Sequence, residues 1–170
     1  MKKIFALVVA LMLSLTCVAM AEEVVNVEEM YDGVWVNFED DGFAMYLPSD
    51  WLEIEVTEEM LAGGVYYVIA SPDGAYTFQL AWAELEADMT VEELLADIQT
   101  LYPEAEIVSF EIFDAVCYAD ATNNVLAFAA LDATAPGMYV FNFTPVSEET
   151  AGIATLLMTS VTPIEVEEAA

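Results

Sequence analysis

Apolar and polar positions are most clearly ordered between residues 65 and 85. Residues 65–70 read Val-Tyr-Tyr-Val-Ile-Ala, apolar at every position. Ser71-Pro72-Asp73-Gly74 follows with the chemistry of a turn: Pro72 presets φ, Asp73 can bond its own backbone, and Gly74 tolerates positive φ. Beyond it, Tyr76, Phe78, Leu80 and Trp82 fall on one side at period two, and Thr77, Gln79, Ala81 and Ala83 on the other. The pattern predicts a long β-hairpin around which the rest of the chain packs. Its first strand, apolar throughout, predicts cover on both faces.

Upstream, residues 34–38 and 43–47 read as two short strands joined by a turn at Glu39-Asp40-Asp41-Gly42. Pro48 ends the second. Leu52, Ile54 and Val56 alternate with Glu53 and Glu55, which predicts a half-buried strand over 52–56. Residues 57–61 predict a short helical turn stopped by Gly63-Gly64. Downstream, the clearest helix spans 91–102. Thr90 caps it, Glu93 completes a capping box, and Val91, Leu94, Leu95, Ile98, Leu101 and Tyr102 form its apolar face. Four strands are predicted next, at 107–113, 115–119, 125–131 and 139–143. A last helix starts near Glu148 after Ser147, turns Ile153, Leu156, Leu157 and Val161 to the core, and stops at Pro163. No internal repeat or long linker divides the chain.

Residues 1–21 carry a different pattern. Lys2 and Lys3 precede an apolar run over 4–15, and Ala19-Met20-Ala21 fits small-x-small cleavage. This predicts a signal peptide cut after Ala21. Lipidation at Cys17 fits less well, because Ser14-Leu15-Thr16 lacks the expected small residue before the cysteine. An uncleaved anchor fits less well again, since the run is short for a span. The expected organisation is a signal peptide over 1–21, an acidic leader over 22–32, a single domain over 33–164 and an acidic tail over 165–170.

Cleavage sharpens the charge. The whole chain has 31 Asp and Glu against two basic residues, a formal net charge of −29. Both basic residues leave with the signal peptide, so the mature chain has 31 carboxylates and no Lys, Arg or His. Ion pairs cannot support it, and Cys117 is left without a partner for an intramolecular disulfide. Apolar residues make up 58% of the chain, enough for a core, so the acidity does not imply disorder. A uniformly negative surface argues against nucleic acid and anionic lipid. The expected product is a monomer, not inserted in a membrane after cleavage.

Three predicted helix starts pair a hydroxyl cap with two Glu: Thr57 with Glu58 and Glu59, Thr90 with Glu92 and Glu93, Ser147 with Glu148 and Glu149. Carboxylates in a first turn favour the helix dipole by about 0.3–1 kcal/mol each. Capping and solubility account for most of the acids. Crowding of like charge predicts that folded carboxyl pKa values mostly rise, which would favour the fold near pH 5 over pH 8 in low salt.

The order of these pieces resembles the superfamily of PsbP-like photosystem subunits and DcrB-like envelope lipoproteins. The resemblance rests on Phe43-Ala-Met-Tyr-Leu-Pro48-Ser-Asp-Trp51, the Ser71-Pro72-Asp73-Gly74 hairpin, the Thr90-Val-Glu-Glu-Leu helix start, and the strand from Met138 to Phe143 with the helix and Ser160-Val161 after it. It covers about residues 33–164. It implies an α+β fold: a single, mostly antiparallel sheet with helices packed on both faces, an α/β/α sandwich. It also implies a non-catalytic binding or assembly role, with no functional residue carried over.

The residue inventory excludes much chemistry. Without His there is no Ser-His-Asp or Cys-His nucleophile system, and without Lys no Schiff base or P-loop. Without Arg there is no bidentate clamp for phosphate or carboxylate. Cys117 lies on an apolar strand with no cation nearby, which predicts an inert buried thiol. Paired carboxylates remain available for glycan hydrolysis, with no pair singled out. Hard cations such as calcium take carboxylate oxygens, and Glu39, Asp40 and Asp41, with Asp32 or Asp50 nearby, are the candidate ligands. The spacing is not an EF-hand: with Gly42 at the sixth position the twelfth is Pro48, where Glu is needed. Trp35, Trp51, Tyr66, Tyr67, Tyr76 and Trp82 read first as core and second as a sugar- or peptide-binding surface.

These readings lead to an exported, non-catalytic binding or accessory protein of the cell envelope or extracellular space, with a protein or glycan partner and no cofactor beyond weakly held calcium. The alternatives are a calcium-binding secreted protein and a small carboxylate-based hydrolase.

Overall fold

The computed structural model describes residues 27–164. The expected signal peptide over 1–21, the start of the expected acidic leader and the expected tail over 165–170 lie outside the described residues.

The predicted hairpin is at the centre. β4 (Val65–Ala70) and β5 (Thr77–Glu84) pair antiparallel, with Gly74 N donating to Ser71 O at 2.8 Å and Ser71 N to Tyr76 O at 2.9 Å across the turn. β5 then pairs along its whole length with β9 (Gly137–Thr144). β8 (Val125–Leu131), β7 (Asp114–Asp120) and β6 (Glu106–Ser109) continue the sheet on that side, and β3 (Leu52–Glu53) closes the other, giving the order β3-β4-β5-β9-β8-β7-β6. Every pairing is antiparallel.

The expectation of a single sheet is corrected: a second, three-stranded sheet exists. β2 (Phe43–Pro48) lies between β1 (Gly33–Phe38) and the short β10 (Thr162–Pro163). β2 is buried over residues 43–47, and its Phe43, Met45 and Leu47 join Phe78, Leu80, Phe128, Phe141 and Phe143 of the large sheet in one core. That core is completed by α3 (Glu148–Thr159) through Ala151, Ala154, Leu157 and Met158. On the opposite face, α2 (Val91–Gln99) sets Leu94 against Val116 and Ala129. Neighbours on one strand therefore serve opposite faces, Val116 one and Cys117 the other, as period two requires. Helices lie on both faces, as expected. A third helix, α1 (Glu58–Ala62), is capped by Thr57, whose hydroxyl accepts from Met60 N.

Four elements differ from expectation. The strand over 52–56 is only Leu52–Glu53, with Leu52 59% exposed, because it is an outer strand with nothing packed on its face. The strand over 107–113 stops at Ser109: Phe110 N donates to Phe113 O at 2.9 Å and the two rings stack, making a hairpin turn. α2 ends at Gln99, leaving Leu101 76% exposed. α3 turns small Ala151 and Ala154 into the core, so it approaches the sheets closely and rotates Ile153 and Leu156 out to half-buried positions.

Candidate ligand-binding pocket

The rotated face of α3 meets the open end of the β1–β2 hairpin across a cavity of about 490 Å³. Register builds its mouth. Gly33 pairs with Pro48, which sets Asp32 beside Ser49. Ser49 N donates to Asp32 O at 3.1 Å, and Trp51 N donates to Pro48 O at 3.2 Å, a tight turn led by the proline. Asp32, Ser49 and Asp50 stay exposed at the mouth, while Trp51 is half-buried in the wall. Ile153, Leu156 and Leu157 of α3 form the apolar wall opposite, and Met30 and Tyr31 close the third side.

These walls are tied together at Tyr46. Its carbonyl accepts the Tyr31 hydroxyl at 2.6 Å, and its own hydroxyl accepts Gly33 N at 3.0 Å. Its backbone N–H donates to Ser160 Oγ at 3.0 Å, just beyond α3. β10 pairs with β2 only at Phe43 and Ala44, so the serine hydroxyl satisfies a buried backbone donor that β10 does not reach. The ring lies 5.3 Å from those of Tyr31 and Trp35. Gly33 permits this approach, because a Cβ there would sit 2.6 Å from Tyr46 Cε1 and 2.7 Å from Leu47 O. Burial, with Tyr46 adding to it, pushes the Tyr31 hydroxyl well above its usual pKa and keeps it a donor.

The predicted cation ligands are distributed differently. Glu39–Asp41 is a single 3₁₀ turn at the other end of the same hairpin, with Glu39 and Asp40 exposed and Asp41 half-buried. Asp32 and Asp50 therefore line the pocket and lie away from the acidic turn. Asp41 Oδ2 accepts the Tyr66 hydroxyl at 2.8 Å. Tyr139 lies between Asp41 and Asp132, and Asp132 Oδ2 accepts from Trp82 Nε1 at 3.1 Å and Tyr139 OH at 3.3 Å. Gly137 makes room for the indole, since a Cβ there would meet Trp82 Cζ2 at 2.5 Å. This chain of phenols and carboxylates joins the small sheet's turn to β4, β5 and β9. Among the described residues, no group of three or more His, Cys, Asp or Glu side chains is placed to hold a metal ion.

Carboxyl pKa shifts run against the crowding expectation where they are resolved. Burial works to raise Asp132, but bonds from Thr134, Trp82 and Tyr139 outweigh it and leave it below the usual range. Asp120 is lowered by the Asn123 backbone and side chain, and Asp73 by the Ser71 hydroxyl and Ala75 N–H. Only Glu106 is raised, by burial. Local hydrogen bonds in turns thus outweigh net charge at three of these four groups. Burial raises the fully enclosed Cys117 thiol, so it is the inert core group its strand predicts. None of the six singled-out aromatics is fully buried, and Trp51 is the one that lines the cavity.

No protein-family model matches the chain, and no curated protein matches it. Solved structures do. The solution structure of cyanobacterial PsbP (CyanoP) from Synechocystis sp. PCC 6803 is similar over 78% of this chain and 92% of its own, at 13% identity and a TM-score of 0.56. The protein has a PsbP-like fold. A crystal structure from Bacteroides thetaiotaomicron VPI-5482 is similar over 76% of this chain, at 16% identity and a TM-score of 0.50; the match spans 47% of that longer chain. At these identities the likeness is one of fold. Among the described residues of the PsbP-like chain, no helix is long and apolar enough to cross a membrane.

Proposed function

We propose that this protein is an exported, non-catalytic accessory module that binds a ligand in the pocket between the β1–β2 hairpin and α3. The observation that carries the reading is the cavity itself: three segments distant in sequence, around residues 30–32, 48–51 and 153–157, converge on about 490 Å³ of space. Small-molecule sites are concave, mostly apolar and furnished with a few polar groups, typically about 300–1,000 Å³ in volume. Apolar side chains and an indole make the walls here, and two carboxylates and a serine make the mouth. Nothing in the mature chain supplies a histidine base, a lysine or an arginine, which supports binding over turnover. The PsbP-like fold supports an accessory role, and residues 1–21 support export.

The test is a nuclear magnetic resonance screen of protein produced from the full-length chain, using a panel of small amphiphiles, sugars and short peptides. The expected result is a saturable set of shifts confined to residues around 30–32, 48–51 and 153–157. Shifts scattered over the surface, or binding centred on the turn at Glu39–Asp41, would replace this reading. Export is checked separately by locating the tagged chain in the medium or envelope fraction.

A further inference from the structure

We infer that the pocket takes an organic cation carried on an apolar body, in its simplest form an alkylammonium group; the inference rests on the pocket being the binding site. Three observations on the same cavity point this way.

The first is sign. Asp32 and Asp50 both line the pocket, both are exposed, and the Gly33–Pro48 register brings the segments that carry them together at that end of the hairpin. The only basic residues in the sequence are Lys2 and Lys3, so nothing in residues 27–164 can neutralise an anionic ligand here. A neutral polar ligand needs donors as well as acceptors, and the lining is poor in donors. The Tyr31 hydroxyl is already committed to Tyr46 O at 2.6 Å and the Ser49 hydroxyl to Asp32 O at 3.4 Å, which leaves the Trp51 indole among the side-chain donors. Carboxylates are acceptors only, and they ask for a ligand that donates.

The second is the wall. Met30, Ile153, Leu156 and Leu157 offer a dry surface for an alkyl body behind a charged head. Trp51 and Tyr31 add aromatic rings to the lining, and a cation within about 6 Å of an aromatic centroid, over its face, is attracted to it, tryptophan most strongly. The third is the field. A net charge of −29 concentrates cations at the whole surface, and at this cavity carboxylates, aromatic rings and an apolar wall coincide. Selectivity for an organic over a simple inorganic cation follows from that coincidence.

Calorimetry on the full-length protein tests the inference with hexylammonium, hexanol and hexanoate, three probes of one shape and different charge. Hexylammonium is expected to bind at least about tenfold more tightly than hexanol, the size of an ion contact plus a cation–π contact, and hexanoate not at all. Binding should weaken with added salt. The D32N/D50N double variant should lose about tenfold in hexylammonium affinity while its hexanol affinity stays unchanged and its melting temperature does not fall. A lysine-containing peptide with blocked ends forms a further arm. If it binds more tightly than hexylammonium, the cation is a partner protein's side chain; if less tightly, it is a free amine. Equal affinity for hexylammonium and hexanol would overturn the inference while leaving the pocket as the site. Saturable calcium binding that abolishes hexylammonium binding would overturn it in favour of a metal ion. No binding of any probe at the pocket would remove both readings.

Discussion

Tyr46 joins two parts of the chain that lie far apart in sequence: the segment with Tyr31 and Gly33, and Ser160 just beyond α3. Removing the Ser160 hydroxyl would orphan a buried backbone N–H. Ser160→Ala should therefore cost about 1–3 kcal/mol in chemical denaturation, although it removes a single oxygen. Asp132→Asn keeps the shape but weakens an acceptor that serves Trp82, Thr134 and Tyr139, and should cost about 1–2 kcal/mol with a shift in tryptophan emission. The pH dependence follows from the same groups. Asp73, Asp120 and Asp132 titrate lower in the folded than in the unfolded chain, so their contribution is complete above the unfolded value and lost as pH falls through the folded ones. Denaturation midpoints should drop steeply below about pH 4. The raised Glu106 acts in the opposite sense and cancels part of this. At the alkaline end, burial lifts Tyr66, Tyr139 and Tyr31, and pushes Tyr118 up to about 12. Raised acids stabilise the fold below the unfolded value and lose that effect as pH rises through the folded one. Tyrosinate absorbance should accordingly appear late and together with unfolding, above about pH 10.

At the scale of elements, α3 serves core and pocket at once: Leu157 is fully buried and also lines the cavity, whereas Ile153 is half-buried at its wall. Leu157→Ala empties a core position and should cost about 2–5 kcal/mol, whereas Ile153→Ala, at the pocket wall, should cost about half as much or less; equilibrium denaturation of the two variants decides it. Thr90→Ala removes half of the α2 capping box, where Glu93 N donates to Thr90 Oγ1 at 3.3 Å, and should cost about 1 kcal/mol. Elements with a strong local period were legible before the structure: the hairpin of β4 and β5, the capped start of α2, and β8, whose bounds match residue for residue. Of the small sheet, β1 and β2 were legible as two strands joined by the turn at 39–42, but its third strand and its separation from the large sheet were not. β10 is two residues long and pairs with a strand more than a hundred positions earlier, so no local pattern announces it. The face of α3 was legible at Leu157 and, just beyond the helix, at Val161, which are buried, and missed at Ala151 and Ala154, because leucine and isoleucine outrank alanine in any hydrophobic pattern. Close approach to a sheet favours alanine instead. The pocket was partly legible for the same reason. Asp32, Asp50 and Trp51 stood out singly, but their union depends on hairpin register and on a helix a hundred residues away.

On the scale of the whole molecule, one sign of charge covers a core that must hold without ion pairs. Self-repulsion opposes the compact state, and salt screens it over about 10 Å at 0.1 M. The hydrophobic interior, with Phe78 stacked on Phe141 and Phe143 across β5 and β9 and Phe128 of β8 edge-on to Phe143, supplies the opposing stability. Melting temperature should rise with sodium chloride between millimolar and tenth-molar concentrations, and calcium at equal ionic strength should add little. The most direct test of this account is a thermal melt in dilute buffer with a chelator, followed by near- and far-ultraviolet circular dichroism. The account predicts one cooperative transition seen at the same temperature in both signals. A chain already lacking near-ultraviolet signal at room temperature, regained only when a cation is added, would contradict it.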